Sequence, residues 1–206
     1  MAIGLVVAAA YVLSAKLGFR VALVADQVTT VWAPTGLAEA ALILWGRSLW
    51  PAIWLGAFVA NVGTAVPVWA AACVATGNTF EGVITAQLVL RFSGFDPSLR
   101  RVKDALVFMV VGAILATAVS ATVGSMTLCL AGVQTWSRFN VLWQDWWLGD
   151  AVGALVVAPT LLTIVRTPWT RTRRARVETA AIVIACAVMT ETIFGHLFRS
   201  GRPSSS

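Results

Sequence analysis

Two long stretches of this chain, 48–80 and 105–137, contain no Asp, Glu, Lys or Arg. A helix needs about 20 mostly apolar residues to cross the hydrocarbon core of a bilayer, and each stretch is longer than that. The chain therefore reads as all-α, a polytopic bundle of transmembrane helices. Its composition agrees, with 59% hydrophobic and 12% charged residues where a soluble domain carries roughly 25% charged. A water-soluble enzyme or nucleic-acid-binding domain is excluded, and 206 residues supply about six to eight spanning helices with little left for a folded soluble domain.

Hydrophobic runs and their punctuation predict about seven helices, over 2–24, 37–45, 51–63, 68–90, 104–130, 142–165 and 177–198. Residues 1–198 form one integral membrane domain, and 199–206 form a polar tail of the kind that stays mobile. Pro51 falls in the first turn of the third helix, where its missing amide costs least. A signal peptide cleaved after Ala15 is the alternative for the first segment, but the basic n-region such a peptide needs is missing.

Lys and Arg gather in cytoplasmic loops. With a cytoplasmic N-terminus, the connections at Arg47, 91–103 and 166–176 hold ten basic residues, while the outer loops hold Arg138 and the tail Arg199 and Arg202. This orients the chain in its membrane with the N-terminus cytoplasmic. The net charge of +6 is a topology signal and a contact with anionic lipid head groups, and implies no nucleic-acid partner. Trp45, Trp50, Trp69, Trp136, Trp143 and Trp169 fall at predicted helix ends, where an indole buries its ring and keeps its N–H near water. Cys73, Cys129 and Cys186 lie singly in apolar segments and read as buried free thiols. With one histidine, His196, no metal site and no cofactor are expected, nor is there a motif for enzymatic chemistry.

An ionisable residue inside a membrane helix costs about 2.5–3.5 kcal/mol on insertion scales, which makes each one a functional candidate. Lys16, Arg20, Glu39, Glu81, Asp150 and Glu191 are of this kind, with Asn61, Asn78, Gln87 and His196 beside them. Asn78 and Glu81 fall roughly 15–20 Å below the outer start of their helix at 1.5 Å per residue, and the set converges on the outer half of the bundle. Lys16 or Arg20 is expected to neutralise Asp150 or Glu81 as an intramembrane charge pair. Such pairs either hold helices in register or line an outward-facing polar cavity for a small molecule. Gly149 and Gly153 form a small-xxx-small pair that permits a homodimer. Ser120, Thr122, Ser125 and Thr127 read as interhelical hydrogen-bonders.

Four stretches, taken together in order and spacing, resemble a known family. They are Val31-Trp32-Ala33-Pro34-Thr35-Gly36; Leu49-Trp50-Pro51-Ala52-Ile53-Trp54-Leu55-Gly56-Ala57-Phe58 with Asn61; Gly77-Asn78-Thr79-Phe80-Glu81; and Trp146-Trp147-Leu148-Gly149-Asp150 followed by Ala158-Pro159. They resemble the bacterial membrane-associated sensor domain of the first type, the input module of histidine kinases and diguanylate cyclases. The resemblance implies site residues at Trp32, Pro34, Thr35, Gly36, Asn61, Asn78, Thr79, Glu81, Trp147, Gly149 and Asp150. To these the depth argument adds Glu39. Ala33 stands where the family usually has a second proline, which loosens that turn. The family's usual eighth helix, leading to a cytoplasmic output domain, is not in this sequence, which would leave the C-terminus outside; the expected receiver of the signal is a cytoplasmic output domain or a partner membrane protein. The expected function is detection of a ligand or membrane state through the outer polar layer. A small-molecule transporter subunit and an accessory structural subunit of a larger complex are the alternatives.

Overall fold

The computed structural model describes residues 2–20 and 31–166. The expected seventh helix, the tail, most of the first connection, and with them Trp169, Cys186, Glu191 and His196, lie outside the described residues. Six helices follow in order: α1 Ala2–Arg20, α2 Ala33–Trp45, α3 Trp50–Val62, α4 Val68–Val89, α5 Val102–Leu130 and α6 Phe139–Arg166. The described residues contain no strand, and the protein is a helical membrane bundle. Single 3-10 turns, Arg47–Leu49 and Trp136–Arg138, lead into α3 and α6. Inside α5, Met109–Ala116 winds as a π-helix.

Proline and glycine set several boundaries. Pro34 sits in the first turn of α2 and Pro51 in that of α3, where φ is already helical and no amide is needed. This brings the start of α2 forward to Ala33, four residues before the expected Leu37, so Ala33 opens a helix instead of loosening a turn. Gly46 ends α2 at φ 98°, its amide donating to the Leu42 carbonyl at 3.2 Å; without a Cβ it takes this left-handed backbone freely. α5 starts two residues earlier than expected and α6 three, while α4 matches to one residue.

α1, α5 and α6 are each long and apolar enough to cross a membrane alone. α2 and α3 have 13 residues each, about 20 Å against a core about 30 Å thick. α2 packs on α6 and α4, α3 on α1 and α4, and α5 on α4 and α6. At one end Leu49, Phe95, Leu99, Phe108 and Leu162 join one apolar cluster, which gathers the basic connections at Arg47 and 91–103 and the end of α6. At the other, Val66, Ala70, Val74, Ala121, Leu128, Leu142 and Trp146 form a second. Along α4, the polar residues Asn78, Thr79, Glu81 and Thr85 lie between members of these clusters.

The connection 91–101 is ordered by its own hydrogen bonds. Asp96 accepts from the Ser98 amide at 2.9 Å and its hydroxyl at 2.6 Å, which holds the Asp96 carboxyl below its ordinary range. Arg101 pairs with the buried Asp104 at 2.6 Å. Trp45, Trp50, Trp69 and Trp136 are about half exposed at helix ends, as expected. Cys73 and Cys129 are free, but Cys73 is exposed where a buried thiol was expected, because it lies on a face of α4 that no other described helix covers.

Gly149 and Gly153 are used inside the chain. The Trp32 amide donates to the Gly149 carbonyl at 2.9 Å, and a Cβ on Gly153 would collide with the Trp32 carbonyl. A Cβ on Gly36 would likewise meet the Gly153 carbonyl. The start of α2 is therefore seated directly on the α6 backbone. Gly153→Ala is expected to lower stability by about 1–3 kcal/mol through this overpacking, whereas Gly63→Ala, whose nearest neighbour is 3.8 Å away, changes it by less than about 0.5 kcal/mol. Thermal unfolding of both variants in detergent checks the contrast.

Candidate functional site

The polar residues picked out by depth and motif form a belt across the middle of the bundle. Asp150 lies about 17 Å along α6 from its start and Glu81 about 20 Å along α4 from its start, at 1.5 Å per residue. Glu39, at the midpoint of α2, Glu81 and Asp150 are 0%, 1% and 1% exposed. Among the described residues all three carboxyl side chains are thus closed off from the surface.

Hydroxyls and amides join the belt across helices. Thr35 donates to Asp150 Oδ1 at 2.9 Å, linking α2 to α6. Thr85 donates to Glu39 Oε1 at 2.7 Å, linking α4 to α2. Asn78 donates its amide to the Tyr11 hydroxyl at 3.0 Å and accepts from Ser120 at 2.8 Å, so one side chain of α4 holds α1 and α5 together. Each of these residues is at most 5% exposed. Glu81 and Asp150 lie within reach of each other, and Trp146 and Ser120 face Asp150 as well.

The π-helical segment of α5 borders this layer. The Glu39 carboxyl lies against Gly112, where a Cβ would stand 3.2 Å from Oε1. A π-helix shifts backbone hydrogen bonds from their α-helical partners, and side chains meet two carbonyls here. Trp147 donates to the Ile114 carbonyl at 3.1 Å, and Thr117 to that of Ala113 at 2.8 Å.

Lys16 and Arg20 do not neutralise the belt. Both are exposed on α1, and the one ion pair among the described residues is Arg101–Asp104. Their positions near the end of α1 let their long side chains reach the interface, while the acids are met by hydroxyls instead. Asn61 and Thr79 are buried but bond to the carbonyls of Ala57 and Ala75 in their own helices. Pro34 and Trp32 are buried, Trp32 packing on Phe19 with centroids 5.0 Å apart. Trp147 stacks on Trp143 at 6.0 Å outside the belt.

Of the expected interhelical hydroxyls, Ser120 and Thr122 serve, the latter accepting from Trp143 at 3.0 Å. Ser125 meets no partner among the described residues. Sequence reasoning missed Tyr11 and Thr85. Thr85 was legible, since Asn78, Glu81 and Thr85 follow one helical face at i, i+3 and i+7. Tyr11 is the chain's one tyrosine, inside an apolar helix where its hydroxyl needs a partner.

Thr35→Val is expected to cost about 1–3 kcal/mol by leaving a buried carboxyl oxygen without its donor, and Thr35→Ser to restore most of it. Unfolding of the two proteins in the same detergent measures the difference.

The MASE1 family model matches residues 3–200 of the chain. No curated protein and no solved structure matches it.

Proposed function

The chain belongs to the MASE1 family, membrane-associated sensor domains of histidine kinases and diguanylate cyclases, and we propose that its mid-membrane belt is the part that responds to the stimulus. The observation that carries this reading is the belt's connectivity. Side chains of α1, α2, α4, α5 and α6 meet in one buried polar layer, so a change in its hydrogen bonding alters several helix contacts at once. Buried groups of this kind favour discrete alternative packings over gradual deformation.

α5 is the natural relay. It carries Ser120 in the belt, then the π-helical segment beside Glu39, then Asp104, which Arg101 holds at the basic end. A π segment absorbs or releases one residue of helical register, which would turn the basic end of α5 relative to the belt. The receiving element is a cytoplasmic output domain or a partner membrane protein. In this reading the membrane is the bacterial inner membrane, with the N-terminus and the basic connections cytoplasmic.

Asp150→Asn and Glu81→Gln are expected to change the output of the kinase or cyclase that the domain serves several-fold, with unchanged amounts of protein in the membrane. Unchanged output from both would contradict the reading, and ligand uptake into vesicles would support transport instead. For orientation, an impermeant maleimide applied to intact cells is expected to label Ser137→Cys and not Arg100→Cys in a background with the native cysteines replaced by serine.

A further inference from the structure

Charge balance in the belt points to what it binds. Of the six carboxyl oxygens of Glu39, Glu81 and Asp150, four accept no well-formed hydrogen bond from the described residues: Glu39 Oε2, both oxygens of Glu81, which Ser120 and Thr35 only approach, and Asp150 Oδ2. The side chains are buried and close enough to feel one another's charge. The groups facing them are Tyr11 and Asn78, the hydroxyls of Thr35, Thr85 and Ser120, and the Trp146 indole. α3 contributes no ionisable side chain, and those of α5 sit at its ends, Lys103 and Asp104 at the basic one and Cys129 at the other.

No fixed cation reaches the layer among the described residues, where every Lys and Arg is exposed. The remaining ones lie at 171–176 and 199–202, and 177–198 contains neither Lys nor Arg, only His196 as a basic group. Three unpaired carboxylates in a low-dielectric interior would each cost several kcal/mol, and their mutual repulsion adds to that. Among the described residues no fixed charge compensates the layer, which leaves that role to an exchangeable one. A metal ion needs several oxygens converging at about 2.0–2.6 Å, and no group of His, Cys, Asp or Glu among the described residues could hold one. A proton needs only one carboxyl to carry it and one free oxygen to receive its hydrogen bond, and Glu81 beside Asp150 supplies both.

We propose that the belt is a proton-binding site, with Glu39 carrying a proton of its own and a second shared between Glu81 and Asp150, and that the stimulus read by the domain is proton activity. The binding claim stands on the site alone; the stimulus claim rests on the sensory reading above. When loaded, one carboxyl donates its O–H to the free oxygen of the other and α4 is drawn to α6. When the proton leaves to bulk water, two carboxylates face each other and push these helices apart.

The test uses the full chain in lipid vesicles, with infrared spectroscopy of the carboxylic-acid C=O stretch as the medium is stepped from acid to alkaline pH. The expected result is a band that disappears as pH rises, that is reduced or shifted in Asp150→Asn and in Glu81→Gln, and that ignores sodium concentration at constant pH. Two conservative variants are used so that a failure of one to insert, seen by circular dichroism, leaves the other. Absence of the band, its unchanged persistence in both variants, or its removal by sodium would overturn proton binding.

In the host cell, one coupled proton shifts a conformational equilibrium by up to about tenfold per pH unit, and output is expected to follow external pH accordingly. Output that changes in the belt variants but stays flat across pH would overturn the proton as stimulus while leaving the sensory reading intact. Output that no belt variant moves would fail the sensory reading, and the infrared result still decides proton binding.

Discussion

A carboxyl group cannot sit in hydrocarbon without a partner, and this constraint organises the bundle. Glu39, Glu81 and Asp150 lie on three different helices, so satisfying them requires donors from neighbours. Thr35 and Thr85 answer two of them across helix interfaces. Asn78 extends the same layer to α1 and α5. Apolar clusters close the layer on both sides, and the polar groups thereby specify which helix packs beside which. Interhelical hydrogen bonds in membranes average only about 0.6 kcal/mol each, so they select one arrangement and do not supply most of the stability.

The close seating of α2 on α6 depends on small residues placed opposite one another. Gly36 and Gly153 let the backbones meet, and Pro34 starts α2 early enough for Thr35 to reach Asp150. With a side chain at Gly153, α2 would have to lift away and Asp150 would lose its donor. The motif that reads as a dimer seam is thus the foundation of the internal site, and the resemblance-bearing residues at 31–36 and 146–150 are two halves of one contact.

Much of this was legible beforehand, and for physical reasons. Charge-free runs reveal spanning helices because lipid tolerates few alternatives. Buried acids stand out because each is costly, and Thr35, Glu39, Asn78, Glu81 and Asp150 do share a layer. Partners were harder to read. Pairing Lys16 or Arg20 with an acid follows from charge alone, whereas the fold turns both cations outward and uses hydroxyls, which no charge pattern reveals. Asn61 and Thr79 were equally polar in the sequence, yet each bonds back to its own helix, a choice made by local geometry. The π-helical segment in α5 has no mark in the sequence beyond a run of apolar residues containing Gly112.

The central claim is that belt chemistry sets the spacing of α4 and α6, and a distance measurement tests it most directly. Spin labels at Leu90 and Ile164, both exposed near the basic end, would be measured by pulsed dipolar spectroscopy in vesicles, at low and high pH, with and without Asp150→Asn. The account predicts two distance populations whose ratio shifts with pH in the wild type and is locked in the variant. A single distance, identical under all four conditions, would contradict it.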